Sequence, residues 1–598
     1  MSATSGGAVA SEQALSTMLQ FVRHASSRAR KAAPAAAKNA AKQRVVKKPK
    51  PQKAKKPAAA AARMAADGMS IDASESNRSR YLSHWRTLME LEHQAENSAV
   101  TERLQEWPLE RLEREGLTLT GLTDARRAGG LFSREAVRFQ APSLSLRQHS
   151  FDVGDEAYIS HNGPLDAAGN LHRNVIRCEI AEINPNSLTV ALEPSASASL
   201  LENKVNFGTG GGGETGQSRP WRLDRMANST AYRRTVAALE EWTSSGFDFG
   251  ASTALRRTII EGATSAVREF PSASSGATPS WRSTIGAEAK AAASDTHVKL
   301  NNPQRTAVLG ALDAFSSGGS GAHTISLIQG PPGTGKSTAA VALLKLAAMG
   351  APGPLLATAD SNAAVDQILE ALLAQGVVAT RVGRPSRAVP ELVNASVEAK
   401  CAAHPEMKEL DEQRESLRQL RVVASELVGV ARTEVEKVIR DGWRSVRTIE
   451  GRLLREVLEQ SEVVCATLAG CGSHAMLPMR FPLVVVDECT QATEPRTALA
   501  LTRAMSDLVL IGDQMQLSPT CLSKEAADSG LGRSLFERMV QIADKVPKHI
   551  HHSMLTIQYR MHPQLRLFPS ETFCERSPQL SLELSIRASS AAVTPLGS

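Results

Sequence analysis

Gly330-Pro331-Pro332-Gly333-Thr334-Gly335-Lys336-Ser337 carries the spacing G-x-x-x-x-G-K-[ST] of a phosphate-binding loop. The flanks fit the mechanism. Thr324-Ile325-Ser326-Leu327-Ile328 reads as a buried strand, and the apolar run from Thr338 through Leu344 reads as a helix. Glycines let the backbone fold around a triphosphate with its N–H groups inward, and the following helix N-terminus adds positive dipole at the same point. Lys336 is placed to reach the β- and γ-phosphates, Ser337 to hold Mg²⁺, and the rest of the loop with Thr338 to line the nucleotide.

Three further strands end in polar residues. Pro354–Ala359 runs into Asp360-Ser361-Asn362, and small polar residues at the carboxyl end of a strand are where open α/β sheets bind ligands. Leu483-Val484-Val485-Val486 delivers Asp487 and Glu488, the first suited to a magnesium ion and the second to orienting and deprotonating an attacking water. Asp507–Ile511 leads to Asp513 and Gln516; Gln516 is placed to sense a γ-phosphate or to satisfy a backbone group in a turn. Four such units predict a doubly wound α/β core with a parallel sheet.

The length suggests three or four domains. Lys and Arg number 69 against 62 Asp and Glu, a formal charge of +7. Residues 1–70 hold 14 of those bases and only Glu12 and Asp67, which leaves 55 bases and 60 acids, so any nucleic-acid groove in the body must be local. The Ala/Pro/Lys-rich tail over 1–75 cannot bury apolar area and is expected to be disordered. Its lysine cluster fits a nuclear-localisation or nucleic-acid arm, its acid-poor start fits an organellar transit peptide, and its composition fits a solvated extension. The compartments that follow are nucleus or cytoplasm, or an organelle. Seven cysteines with no C-x-x-C pair favour reduced thiols over a zinc site. There is no apolar run of about 18 residues, so the body is expected to be soluble with no membrane partner.

Residues 76–135 read as a helical stalk, with Leu82, Trp85, Leu88 or Met89, and Leu91 on one face. Short β-rich runs between turns predict a small β-barrel over 136–200. Residues 201–295 read as a stalk return and linker, in which Trp221–Arg234 and the helix to Trp242 offer a basic face for phosphates or for solvent. The nucleotide domain spans 296–563, with a charged helical hairpin at 385–460 whose Leu410, Leu417, Leu420, Ala424 and Leu427 fall near heptad spacing.

Together these strings resemble superfamily 1 helicases of the class of the nonsense-mediated decay helicase, senataxin and the immunoglobulin mu-binding-protein helicase. The resemblance implies a RecA-like P-loop NTPase core using ATP and Mg²⁺. Leu300-Asn301-Asn302-Pro303-Gln304 is similar to the family's adenine-reading motif, which puts Gln304 on the base. ADSNAAVDQ at 359–367 implies phosphate contacts for Ser361 and Asn362, with Asp360 where the family has proline; a carboxylate there would repel a phosphate if it pointed inward. Cys465-Ala466-Thr467 implies a strand contact for Thr467, and Asp487, Glu488, Gln491, Asp513 and Gln516 match two further motifs. Gln558-Tyr559-Arg560-Met561-His562-Pro563 implies Tyr559 near adenine and Arg560 on the γ-phosphate, as an arginine finger in cis.

The likeness runs from about residue 78 to Phe573, and family members carry a second RecA-like domain beyond that point. Residues 564–598 read as its start followed by a divergent tail, so a chain of this length is expected to bind Mg-ATP, turn it over slowly and not unwind. The implied activity is ATP-driven 5′ to 3′ stepping along single-stranded RNA or DNA, with low sequence preference. The alternative is a non-catalytic ATP- and nucleic-acid-binding protein derived from such a helicase; intact Lys336, Asp487 and Glu488 favour the enzyme.

Overall fold

A helix, α1 (Glu75–Glu106), buries Tyr81, Trp85, Leu88 and Met89 along one stripe, with Tyr81 and Trp85 meeting edge to face. Tyr81 thus takes the place expected for Leu82, which is only half-buried, because its hydroxyl finds a buried acceptor described below. In this computed structural model the described residues run from 75 to 560, with 562, apart from 128–134, 142–150, 152–154, 161–162, 166–174, 185, 193–219, 228, 245–251, 262–299, 318–324, 384, 387–388, 427–428, 544–549 and 561. The basic tail, the glycine loop at 208–213, the 271–295 linker, Leu427 and everything from 563 onward lie outside them.

Beyond α2 (Leu109–Arg114) comes a closed six-stranded antiparallel barrel. Its strands are β1 (Thr118–Arg127), β2 (Glu135–Gln140), β3 (Glu156–Ser160), β4 (Ile176–Asn184), β5 (Ser187–Leu192) and β6 (Trp221–Arg225), in the order β1-β2-β5-β4-β3-β6. Leu122, Val137, Phe139, Ile159, Leu188, Val190 and Leu223 fill the interior. The barrel therefore exceeds the expected 136–200 at both ends. Thr118–Arg127 lies in the stretch read as stalk, and Trp221–Arg225, read as part of the basic segment leading to a helix, is a strand. Closure explains the difference: Thr118 pairs with Asp224, Leu119 with Leu223 and Leu122 with Trp221, removing an exposed edge. The Thr118 hydroxyl donates to buried Asp224 at 2.6 Å, and Arg222 bonds the same oxygen.

The chain returns through α3 (Ser229–Thr243) and α4 (Ser252–Glu261), with Tyr232 of α3 stacked flat on His93 of α1. The nucleotide-domain elements follow in order: α5 (Asn302–Ser317), β7 (Ile325–Gln329), α6 (Lys336–Ala348), β8 (Leu355–Ala359), α7 (Asn362–Ala374), β9 (Ala379–Val382) and α8 (Pro390–Asn394). After the helical excursion come β10 (Val463–Thr467), α12 (Leu468–Cys471), β11 (Phe481–Val486), α13 (Glu494–Leu501), β12 (Ala504–Gly512), α14 (Lys524–Ala526), α15 (Leu535–Ala543) and β13 (Ile550–Met554). The strands form one seven-stranded parallel sheet, β13-β7-β12-β11-β8-β10-β9. Every residue of β7, β8 and β11 is buried, which is why they read as continuous apolar runs. The sequence reading saw four of the seven. The α/β core with a parallel, doubly wound sheet and the inserted barrel stand as expected.

The excursion, residues 397–457, is a compact unit of its own, built from α9 (Val397–Ala402), α10 (Met407–Glu426) and α11 (Gly429–Glu459). Arg414 pairs with Glu450 where both are buried, Arg452 pairs with Glu406, and Leu417 lies against Gly442, the descending register of an antiparallel hairpin. Leu410, Leu417, Leu420 and Ala424 are buried on α10.

Stalk and nucleotide domain share a buried polar knot. Glu494, at the start of α13, accepts from Tyr81 Oη at 2.7 Å and from both ends of the Arg538 guanidinium at 2.6 and 2.7 Å; Arg538 also donates to the Ile259 carbonyl. Burial pushes the Tyr81 phenol well above its ordinary pKa, so it stays a donor. Glu494→Ala is expected to cost about 3–5 kcal/mol by leaving the arginine without its carboxylate. Tyr81→Phe is expected to cost only about 1 kcal/mol, the net worth of one hydrogen bond. Urea denaturation followed by tryptophan fluorescence measures both.

Candidate nucleotide and strand-binding site

Strands β8, β11 and β12 carry Asp360, Asp487 and Asp513 just past their carboxyl ends, and register brings those ends level. The ladder even continues beyond the strands: Gly330 N–H donates to Gly512 O, Asp487 N–H to Thr358 O, and Leu555 N–H to Gln329 O, at 3.0, 2.8 and 2.8 Å. The loop after β7 is thereby fixed against the tips of β12 and β13.

Gly333 and Gly335 sit at φ +78° and +79°, a region that L side chains rarely adopt. A Cβ at Gly333 would come within 2.6 Å of Arg560 Cβ, and one at Gly335 within 2.4 Å of Gln304 Nε2. The glycines thus serve conformation and also leave room for the two side chains that approach the loop. Thr334 ties the loop shut through its hydroxyl to Pro331 O at 2.8 Å. Gly335 then caps α6, whose first turn presents Ser337 and Thr338 to the surface.

Lys336 Nζ donates to the Gly330 carbonyl at 2.7 Å. Burial lowers its pKa, while Asp513, Asp487 and Glu488 work to keep its charge. Ser337 Oγ donates to Asp487 Oδ2 at 3.0 Å, and the Glu488 N–H occupies Asp487 Oδ1 at 2.9 Å. Asp487 is buried, and desolvation raises its pKa. Glu488 has φ +49°, a left-handed conformation uncommon for a non-glycine residue, which turns the chain sharply between Asp487 and the helical turn at Cys489–Gln491. Gln516 Nε2 donates to Asp513 Oδ2 at 2.8 Å and to the Gly330 carbonyl at 3.3 Å, so of its two readings the structure gives it a backbone partner in the phosphate loop.

On the other side of the loop, Gln304 is buried and donates to the Thr334 carbonyl at 2.9 Å. Asn301 receives Gln304 N–H on its side chain and donates to Tyr559 Oη at 2.9 Å. Tyr559 N–H bonds the Gly333 carbonyl, while the residue as a whole is 53% exposed, which leaves its aromatic side chain available to a stacking partner. Arg560 N–H is held by buried Gln558. Asn301 and Gln558 were not read from sequence as site residues; an amide on either flank of the glycine loop was the available signal. Pro331 and Pro332 complete the loop. Met561 and Pro563 lie outside the described residues.

Ser361, Asn362 and Thr467 form a second group at the tips of adjacent strands, where Ala359 stands opposite Thr467. Ser361 caps α7 by accepting Ala364 N–H, and Thr467 caps α12 by accepting Gly470 N–H. Both hydroxyls keep a proton to donate outward. Asn362 is aimed by Arg381, whose guanidinium donates to its Oδ1 at 2.8 Å and is itself anchored on buried Asp366. Asp366 also accepts from Ser386 N–H and Oγ. Asp360 does not point at the strand surface as a bare carboxylate, because it is paired with Arg496 at 2.9 Å.

The residues fit a magnesium-bound triphosphate. The loop's glycines offer bare backbone where phosphates would lie, and a buried carboxylate with its hydroxyl partner is a hard oxygen donor set suited to Mg²⁺. Among the described residues there is no cluster of three or more His, Cys, Asp or Glu side chains that could hold a metal without such a ligand.

Residues 299–524 match a family model described as an AAA domain, and residues 531–591 match a second model of the same description. The second match carries the resemblance past Phe573, where the sequence reading ended it. The chain is 36% identical over 256 residues to a regulator of nonsense transcripts 1 homolog of Arabidopsis thaliana, covering 43% of this chain and 19% of that protein. It is 33% identical over 295 residues to ATP-dependent helicase upf1 of Schizosaccharomyces pombe, covering 48% and 29%. It is 34% identical over 253 residues to the DNA polymerase alpha-associated DNA helicase A of the same yeast, covering 42% and 36%. The matched region is between a fifth and about a third of the length of these relatives.

Asp487→Ala is expected to remove most of the magnesium dependence of nucleotide binding. Calorimetric titration with ATP should show the native chain losing affinity about tenfold or more on chelation, and the variant giving the same weak affinity with and without the ion.

Proposed function

Since its AAA domains make this chain a member of the superfamily 1 helicases of the nonsense-transcript regulator class, we propose that it is an ATP-dependent nucleic-acid helicase that couples ATP hydrolysis to 5′ to 3′ movement on single strands of RNA or DNA. The observation that carries the reading is the 3.0 Å contact between Ser337 and Asp487, which closes the phosphate loop onto an acid pair delivered by a neighbouring part of the same sheet.

In this reading the loop's N–H groups and Lys336 bind the phosphates, and Ser337 and Asp487 hold the magnesium ion. When bound there, the ion would neutralise charge on the triphosphate. Glu488 orients a water and takes its proton, with its carboxylate set one residue beyond the metal-holding acid. Gln516 and Asp513 tie that end of the sheet to the loop, so a change at the γ-phosphate is felt at both. Tyr559, supported by Asn301, stacks on the base and Gln304 reads its edge, while Arg560 stabilises charge on the transferring phosphoryl group. The Ser361 and Thr467 hydroxyls and the Asn362 amide hold successive phosphates of the strand, which confers little sequence preference and strong salt dependence.

Glu488→Gln is expected to lower the strand-stimulated rate of phosphate release by about 10²- to 10⁴-fold with ATP affinity retained. Lys336→Ala is expected to weaken ATP binding itself. Unchanged affinity in Lys336→Ala would count against the enzyme reading, and an unchanged rate in Glu488→Gln would remove Glu488 from the catalytic step. Strand displacement on duplexes with 5′ or 3′ overhangs tests whether this chain unwinds at all, against the slow turnover without unwinding expected from the sequence, and in which direction.

A further inference from the structure

Asp360 and Arg496 form an ion pair that the nucleotide chemistry does not use. Asp360 is the first residue past β8 and precedes Ser361, the cap of α7. Arg496 lies in the first turn of α13, its backbone N–H held by the Thr493 side chain. α13 packs on α12, the helix that Thr467 caps, with Leu499 against Gly472. Arg496 pairs with Asp360, the residue before Ser361, at the tip of β8, and β8 is the neighbour in register of β10, which ends in Thr467. The Arg496 side chain is 36% exposed, and the Asp360 side chain it pairs with is only 22% exposed. Glu96 of the stalk helix also feels the Arg496 charge.

We infer that Arg496 is a further phosphate contact for the bound single strand and that Asp360 competes with the strand for it, so that this carboxylate sets the chain's strand affinity. The inference rests on the strand-binding reading of Ser361, Asn362 and Thr467. A phosphodiester arriving at those groups meets the open side of the guanidinium, and a planar fork can serve a carboxylate and a phosphate only by dividing its donors between them. Burial already pushes the Asp360 carboxyl upward, with Arg496 opposing, so loss of the cation to a phosphate leaves Asp360 poorly solvated. Strand binding therefore carries a built-in electrostatic cost that a neutral residue at position 360 would lack. A purely structural pair pinning β8 to α13 would fix the helix without any effect on strand affinity.

The test uses the full chain and fluorescence anisotropy with a short oligouridylate and a matching oligothymidylate across a salt series. Asp360→Asn is expected to tighten both by about two- to fivefold, the range of a partly exposed ion pair. Glu436→Gln, which changes the net charge identically at an exposed position on α11, is expected to change neither. Arg496→Ala is expected to weaken binding and reduce the slope of log affinity against log salt by about 0.7, one phosphate on a single strand. The double variant, which leaves no unpaired charge and so guards against misfolding of the single one, is expected to match Arg496→Ala, with the Asp360 effect abolished. Equal gains from Asp360→Asn and Glu436→Gln, or a gain that persists without Arg496, would overturn the inference while leaving the helicase reading standing. A gain confined to the ribose strand would overturn the phosphate assignment. Failure of the native chain to bind either oligomer at low salt would sink the strand-binding reading and the inference together.

Discussion

Ser337 and Asp487, 150 residues apart in sequence, share a hydrogen bond because a parallel sheet puts the ends of its strands on one line. The bond is modest by itself, but its two partners are delivered by different strands, and a slip of either would separate them. Every other feature of the nucleotide site stands on the same alignment. The backbone bonds that continue past the strand ends hold the glycine loop, the acid pair and the segment bearing Tyr559 and Arg560 at fixed separations before any ligand arrives. Burial then sharpens the electrostatics: Lys336 and Asp487 both sit where desolvation disfavours their charged forms, a condition that a triphosphate with its cation would relieve.

Most of this was legible in the sequence because buried parallel strands leave uninterrupted apolar runs with a polar residue at the end. β7, β8 and β11 are buried at every position, and their tips hold the residues that were named. The edge strands β9 and β13 were harder: Ala379–Val382 is only four residues long, and Ile550–Met554 contains two histidines, so neither shows the apolar run of a central strand. The barrel's first and last strands were missed for another reason. Trp221–Arg225 alternates large apolar and charged residues over only five positions, too short to separate from the helix that follows, and its partner lies more than a hundred residues earlier. Tertiary closure, not local pattern, decides that segment. The same holds for Tyr81, which outranks Leu82 in the core because Glu494 waits for its hydroxyl.

The site is also tied mechanically to the stalk. Glu494 begins the helix that follows the acid pair, and it anchors Tyr81 of α1. Farther along α1, the Glu92 carboxylate accepts the N–H groups of Leu522 and Ser523, the residues that lead into α14 from the Asp513–Gln516 turn. One helix thus grips two segments that descend directly from strand tips at the nucleotide site. A rearrangement at either tip has a rigid lever to act on.

The meeting of Thr118 with Asp224 has a different consequence. The barrel departs from the stalk and comes back to it at two residues paired across adjacent strands and bonded side chain to side chain. Entry and exit therefore coincide in space, whatever lies between them. Such a module behaves like a cassette on a single peg: its contents can be lengthened, shortened or swapped for another folded insert while the nucleotide domain keeps its geometry, provided the two ends of the replacement lie one strand-spacing apart.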